Sequence, residues 1–148
     1  MTLKKMVNGV VMDMTPEEEA DHLASLNYFN RQDAALQIDG AVAEIYARYT
    51  RFQMEYEERE QQALQYQSAN YEGTVPIQVD AYAQAAGKTP QEATLLILGQ
   101  AAQLRGALSQ LGVLRMRKNY VLRLPEEEAR TEYSTTLAQI KAIGDALT

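Results

Sequence analysis

The chain has 148 residues, and its 20 acidic against 14 basic side chains give a net charge of −6. This balance argues against binding to a nucleic-acid backbone, which needs clustered lysine and arginine. Cysteine is absent, which excludes disulfides, thiol catalysis and zinc–thiolate sites, and no apolar run approaches the roughly 20 residues of a membrane span.

Residues 1–14 are predicted to form a β-hairpin. Asn8-Gly9, flanked by Met6-Val7 and Val10-Val11, is a strong hairpin signal because a type I′ turn needs positive φ at both central positions. Asn8 and Gly9 also interrupt the apolar residues, so no signal peptide is predicted. A two-stranded hairpin is marginal in water by itself. It either leans on the following helix as a flap or docks its edges on another chain.

A helix-start signal occurs three times in the chain. In the segment 15–18, Thr15 is the predicted cap, proline follows, and Glu18 closes a capping box. The segment 89–92 repeats this arrangement from Thr89 to Glu92. Pro125 is followed by three glutamates, which favour the positive end of a helix dipole. Three starts divide the chain into helical blocks.

Residues 15–69 are predicted to form a long helical, coiled-coil-like segment with a candidate kink at residues 39–40. From Ile38, apolar or aromatic residues recur in steps of four and three, interrupted at Arg59, as in a left-handed coiled coil. The other faces are polar, so the apolar seam is narrow for a core helix. The seam either packs on later helices of the same chain or joins another copy or protein. The predicted interface residues are Ile38, Val42, Ile45, Tyr49, Phe52, Tyr56 and Tyr66.

The aromatic residues of the seam allow the same two interpretations, packing within the chain or contact with another protein. Tyr49, Phe52 and Tyr56 occupy consecutive seam positions. A tyrosine hydroxyl in a core needs a partner or a route to water. This aromatic face either covers the chain's own core or forms a docking face for another protein.

The second half of the chain is predicted to be a linker and a helical hairpin. Residues 70–88 contain helix breakers around one short helix, which Gly87 is predicted to end. Residues 89–148 contain two long helices joined by residues 119–124, and this short connection implies an antiparallel pair, although it also suits one short strand. The first long helix has the apolar stripe Ile97, Ala101, Leu104, Leu108 and Leu111, beside a strip of small residues, Gly99, Ala102 and Gly106, where another backbone can approach closely.

No pattern in the sequence predicts catalysis, a cofactor or a metal. His22 is the single histidine, and it is interpreted as a solvated helix residue. The glutamate clusters at 17–19 and 126–128 are explained as helix starts. The "GKT" at 87–89 lacks the upstream glycine and strand of a phosphate loop. The basic run at 115–118 is explained by the negative end of a helix dipole.

The opening "MVNGVVMDMTPEEEADHLA" resembles the openings of small proteins encoded in the tail-fibre and baseplate regions of tailed bacteriophages. Those proteins often begin with a short hairpin around an Asn-Gly turn, followed by Thr-Pro-Glu-Glu and a polar helix. The resemblance covers residues 6 to 24. It implies a non-enzymatic virion component, or a factor that assembles one.

The sequence therefore predicts a mainly α fold: an N-terminal β-hairpin, a long coiled-coil-like helix and a C-terminal antiparallel helical hairpin. The predicted function is a structural protein of a phage tail or baseplate, assembled in the host cytoplasm and located in the virion. Its expected partners are itself, as a dimer or trimer, and other tail or baseplate proteins, with no nucleic acid, membrane, cofactor or small-molecule substrate. The alternatives are a tail-fibre assembly chaperone that is absent from the virion and a cellular coiled-coil adaptor.

Overall fold

The elements of the computed structural model follow the predicted order, with a hairpin before a series of helices. The structure describes residues 2–26 and 28–147. The elements are β1 (Lys4–Val7), β2 (Val10–Asp13), α1 (Pro16–Leu26), α2 (Arg31–Thr50), α3 (Gln53–Ser68), α4 (Ile77–Ala86), α5 (Pro90–Met116), α6 (Lys118–Arg123) and α7 (Glu126–Ala146). The predicted fold class, mainly α with an N-terminal β-hairpin, is confirmed.

The hairpin turns at Asn8 and Gly9, whose φ angles are 50° and 82°. Positive φ at both positions is the type I′ geometry that Asn-Gly favours. Antiparallel pairing sets Val7 opposite Val10 and Lys4 opposite Asp13. The local sequence signal is sufficient to explain this turn.

The first turn of α1 holds the hairpin in place. Thr15 Oγ1 accepts a hydrogen bond from Glu18 N at 3.2 Å, and Glu18 Oε2 accepts one from Thr15 N at 2.9 Å, which is the predicted capping box. Glu18 also pairs with Lys5, and Glu19 accepts a hydrogen bond from the backbone N–H of Leu3. The hairpin and α1 therefore form one unit, the hook (residues 3–26). Within the described residues, α2 to α7 pack extensively on one another but not on the hook.

The long helix predicted for residues 15–69 is divided into α1, α2 and α3. Helix α2 runs through the candidate kink at 39–40 without interruption and ends at Thr50. The chain then turns at Arg51 and Phe52, where Phe52 has φ −120° and ψ 26° and makes no side-chain cap. The predicted helical segment is therefore three helices, and the coiled-coil-like part is interrupted at residues 51–52 rather than at 39–40. Neither glycine nor proline marks the break, so the sequence gives no local signal for it.

Two hydrophobic cores form, and α5 contributes to both. The first lies among α2, α5, α6 and α7, and the second lies among α3, α4 and α5. The first core contains Ala34, Ile38, Val42, Ile45, Leu111, Val121 and Ile140, and the second contains Ala63, Tyr66, Val79, Ala83, Ala93 and Ile97. Helices α5 and α7 are antiparallel, since Leu111 shares the first core with Ile140 while Leu104 lies near Leu147. The predicted C-terminal helical hairpin is therefore present.

The boundaries of the second half follow the predicted signals. Gly87 ends α4 with φ 65°, in the left-handed region that favours glycine. Thr89 and Glu92 form the capping box of α5, with hydrogen bonds of 3.2 and 3.1 Å. Residues 118–123 form the short helix α6 between α5 and α7, so the alternative of a short strand there is wrong.

The basic run at 115–118, at the junction of α5 and α6, is joined to α2 and α7 through ion pairs. Asp39 on α2 lies 2.8 Å from both Arg115 Nε and Lys118 Nζ. Arg117 pairs with Glu132 on α7. The hydrogen bond from Lys118, with a further one from Arg115, holds the pKa of the Asp39 carboxyl below its ordinary value. These contacts add a specific partner to each cation beyond the helix-dipole explanation.

The glycines fall into two classes by the space around them. A Cβ added at Gly144 would lie 2.8 Å from Ile45 Cδ1 and 3.1 Å from Ile45 Cγ1, inside the first core. A Cβ at Gly99 or Gly106 would meet no heavy atom within 4 Å. The close approach expected along the Gly99–Gly106 strip is therefore found instead between α2 and α7.

Replacing Asp39 by asparagine should lower the free energy of unfolding at pH 7 by up to about 1 kcal/mol, the scale of partly exposed ion pairs. The folded-state pKa of Asp39 lies below its unfolded value, so its stabilisation is present above the unfolded value of about 4 and is lost as the pH falls through the folded value. Urea titrations at pH 7 and pH 2.5 should show the parent–variant difference shrinking in acid. Asp80→Asn is the matched control, since Asp80 accepts a hydrogen bond from neutral Gln84. A difference independent of pH would contradict the charge-based contribution.

Replacing Gly99 by alanine should stabilise the protein by up to about 1 kcal/mol, the helix-propensity difference. The same change at Gly144 should lose that gain, because overpacking typically costs about 1–3 kcal/mol. Denaturant unfolding of the two variants measures the difference directly. Equal effects of the two changes on the free energy of unfolding would show that the Ile45 side chain can move at little cost.

Candidate protein-interaction surface

Most of the predicted seam is buried within the single chain. Ile38, Val42 and Ile45 are 0%, 3% and 4% exposed and belong to the first core. Tyr66 is 7% exposed in the second core, where its ring meets the Tyr71 ring edge-on at 5.4 Å. The intramolecular alternative accounts for these four residues.

The central seam residues lie between the two cores. Tyr49 is half-buried, and its hydroxyl donates a hydrogen bond to the Leu147 carbonyl oxygen at 3.1 Å. Tyr56 is half-buried at the start of α3, and Phe52 at the break is 49% exposed. The hydroxyl of Tyr49 thus has the partner that a partly buried tyrosine requires. These three aromatic residues remain the predicted interface residues that one chain does not fully cover.

Two neighbouring depressions flank the break between α2 and α3, and together we call them the central groove. They enclose about 370 Å³ and about 270 Å³. Both are lined by Tyr49 and Tyr56 on one wall and by Ala101 and Leu104 of α5 on the other. The groove lies where the first core has ended and the second has not begun. Of the three aromatic seam residues, Tyr49 and Tyr56 line the groove and Phe52 does not. The predicted interface did not include Ala101 and Leu104, although both belong to the predicted α5 stripe.

Most of the charged side chains at the rim of the groove are paired. Arg105 NH2 lies 2.6 and 2.7 Å from the two carboxylate oxygens of Glu60. This hydrogen bonding raises the pKa of the Arg105 guanidinium above its ordinary value. Arg59 pairs with Glu55 at 3.0 Å and lies over the Tyr56 ring, 5.8 Å from its centroid. Glu57, which also lines the groove, accepts a hydrogen bond from the neutral side chain of Gln53 instead. The rim is therefore polar around aromatic and aliphatic walls, as at many protein–protein interfaces.

The remaining candidate chemistry is sparse in the described part of the chain. Within residues 2–26 and 28–147, no group of three or more His, Asp or Glu side chains is placed to hold a metal ion. No helix in those ranges is long and apolar enough to cross a bilayer. His22, on α1, lies in the hook and away from the groove.

A comparison with curated proteins finds one relative in a bacteriophage. The chain is 42% identical over 111 residues to an uncharacterized 23.3 kDa protein in the lys 3′ region of Haemophilus phage HP1. The chain is related to a phage protein. The match covers 73% of this chain but 55% of the relative, so the chain spans about half the length of the protein it matches. No family model matches, and no solved structure matches.

Alanine substitutions at two seam positions should distinguish a core residue from a surface residue. Ile45→Ala should destabilise the protein by about 2–5 kcal/mol, the usual cost of truncating a buried isoleucine. Phe52→Ala should change the unfolding free energy by about 1 kcal/mol or less, since half of its surface is already in water. Chemical denaturation measures both variants. A large loss for Phe52→Ala would make Phe52 part of a core rather than of a binding surface.

Proposed function

We propose that this chain is a non-enzymatic structural protein of a phage tail or baseplate, which self-associates and connects or decorates larger parts through helical packing. The phage relative supports a phage setting. The opening of the chain, which resembles tail and baseplate proteins, supports the narrower location. The central groove carries the proposal, because it offers an aromatic docking surface that the chain leaves partly open.

The occupant proposed for the groove is a helix of a neighbouring tail or baseplate subunit. A helix with an apolar stripe would lie over the groove and place apolar side chains in its two depressions, as in other helix-in-groove complexes. Tyr56, which lines both depressions, is the aromatic anchor. Large aromatic residues at the centre of an interface carry much of its binding energy, often about 2 kcal/mol or more each.

The exposed side of α3 defines the charge of that partner. Glu55, Glu57 and Glu58 are exposed on α3, beside the groove. A partner helix with lysine or arginine flanking its apolar stripe therefore complements this surface and avoids like-charge contacts. Such charges chiefly favour the correct partner and orientation rather than add affinity.

Mass spectrometry of purified particles tests the proposal, using a phage or prophage that encodes the chain. The parent protein should be recovered with the tail, and Tyr56→Ala should reduce its incorporation at least about tenfold, the effect expected from losing an anchor. Leu95→Ala is the control, because Leu95 is an exposed residue of α5 that does not line the groove. Equal incorporation of the two variants would show that the groove does not attach the chain to the tail.

The alternative functions give different results in the same experiment. A chain that is absent from particles but copurifies from infected cells with a tail-fibre protein is an assembly chaperone. A chain found in neither setting is a cellular adaptor, and the tail proposal then fails.

A further inference from the structure

The hairpin presents apolar side chains to water on both of its faces. Met6 and Val11 lie on one face and are 72% and 59% exposed. Val7, Val10 and Met12 lie on the other face and are 41%, 61% and 49% exposed. Both strands are edge strands, since the sheet contains only β1 and β2 among the described residues. Open apolar edges of this kind favour pairing with a further strand.

Hydrogen-bonded and non-hydrogen-bonded residue pairs alternate along the hairpin, and this alternation shows which backbone groups point outward. The Met14 N–H donates to the Leu3 carbonyl oxygen at 2.8 Å, which makes residues 3 and 14 a hydrogen-bonded pair. Because such pairs alternate along an antiparallel ladder, residues 5 and 12 and residues 7 and 10 also bond inward. The outward N–H and C=O groups therefore belong to Lys4 and Met6 on β1 and to Val11 and Asp13 on β2.

We infer that copies of this chain join through their hairpins, with β2 of one copy pairing antiparallel to β1 of the next in the register already used within each hairpin. That register sets Asp13 opposite Lys4 of a second copy and Val11 opposite Met6 of that copy. Both are pairs of outward-bonding residues, so the backbone groups meet. The same register pairs the two opposite charges with each other and the two apolar side chains with each other. Within the chain, Lys4 and Asp13 already lie 3.6 Å apart and are each 67% exposed, so they remain accessible to a neighbour.

The symmetric pairings of the same edges are less favourable. Two β1 strands with Lys4 opposite Met6 would set Lys5 opposite Lys5, and like charges directly opposite destabilise a strand pair. Two β2 strands in the corresponding register would set Asp13 opposite Val11, with no cation for the carboxylate. Charge complementarity thus selects β2 against β1, rather than either strand against its own copy.

This pairing is head-to-tail, so it closes only as a ring. Two hairpins would leave four strands, too few for a closed sheet with room for side chains. A closed assembly is therefore a trimer or a larger ring. The inference rests on the self-association included in the proposed function, and it assigns that self-association to the hook rather than to the helical seam.

Disulfide trapping of the full chain tests the pairing, and the lack of native cysteine makes every cross-link assignable. Met6→Cys and Val11→Cys chains, co-expressed and mildly oxidised, should give an interchain cross-link several-fold above either variant alone. Opposed residues of a hydrogen-bonded pair lie about 5.5 Å apart at Cα, within disulfide range. Met6→Cys with Met12→Cys is the control, because these side chains lie on opposite faces.

Light scattering of the parent chain at micromolar concentration should give the mass of a trimer or larger ring. A monomeric parent, or a Met6–Val11 cross-link no stronger than the control, would overturn the inference. Cross-linking of Val11→Cys with itself above the mixed pair would also overturn it, in favour of symmetric pairing. The experiment uses purified protein without particles, so a positive result stands even if the chain proves absent from the tail.

Discussion

The helical body depends on how closely α2 lies against α7. Gly144 leaves no side chain between the two helices, and Ile45 fills that space within the first core. At this distance Arg48 donates a hydrogen bond to the Gly144 carbonyl oxygen at 3.2 Å, and Tyr49 reaches that of Leu147. These donors bond carbonyl groups in the last turn of α7, where the regular hydrogen bonding of the helix ends. The Gly144 carbonyl oxygen also accepts a hydrogen bond from the Leu147 N–H at 3.3 Å. With α2 held in this way, the chain turns at Phe52, and α3 packs on α4 and α5 instead.

The division into two cores explains why an aromatic surface is left open. Each core is closed by its own set of helices, and the gap between them falls at Tyr49, Tyr56 and Leu104. A core that continued across this gap would need a larger side chain than Ala101 on α5. The sequence instead places small residues there and pairs most of the nearby charges at the rim. Such a surface is suited to a partner that supplies the missing apolar volume.

Local chemistry made much of the fold predictable. The turn at Asn8-Gly9, the capping boxes from Thr15 and Thr89, and the stop at Gly87 each depend on a few adjacent residues. The break at Phe52 depends on α2 packing against α7, which no local pattern contains. The seam from Ile38 to Tyr66 was recognised, but its period is the same whether the partner helix belongs to this chain or to another. The ion pairs of Asp39 join residues 76 and 79 positions apart, so spacing could not reveal them.

Helix α5 has a mechanical consequence for any assembly that contains this chain. Its 27 residues make a rod roughly 40 Å long, at 1.5 Å per residue, and the rod is embedded in a core at each end. Between its ends, Gly99 and Gly106 leave the outer side of the rod bare. The chain should therefore resist compression along α5 while yielding to bending across its middle. A partner helix bound in the groove would support the middle of α5 and so increase its resistance to bending.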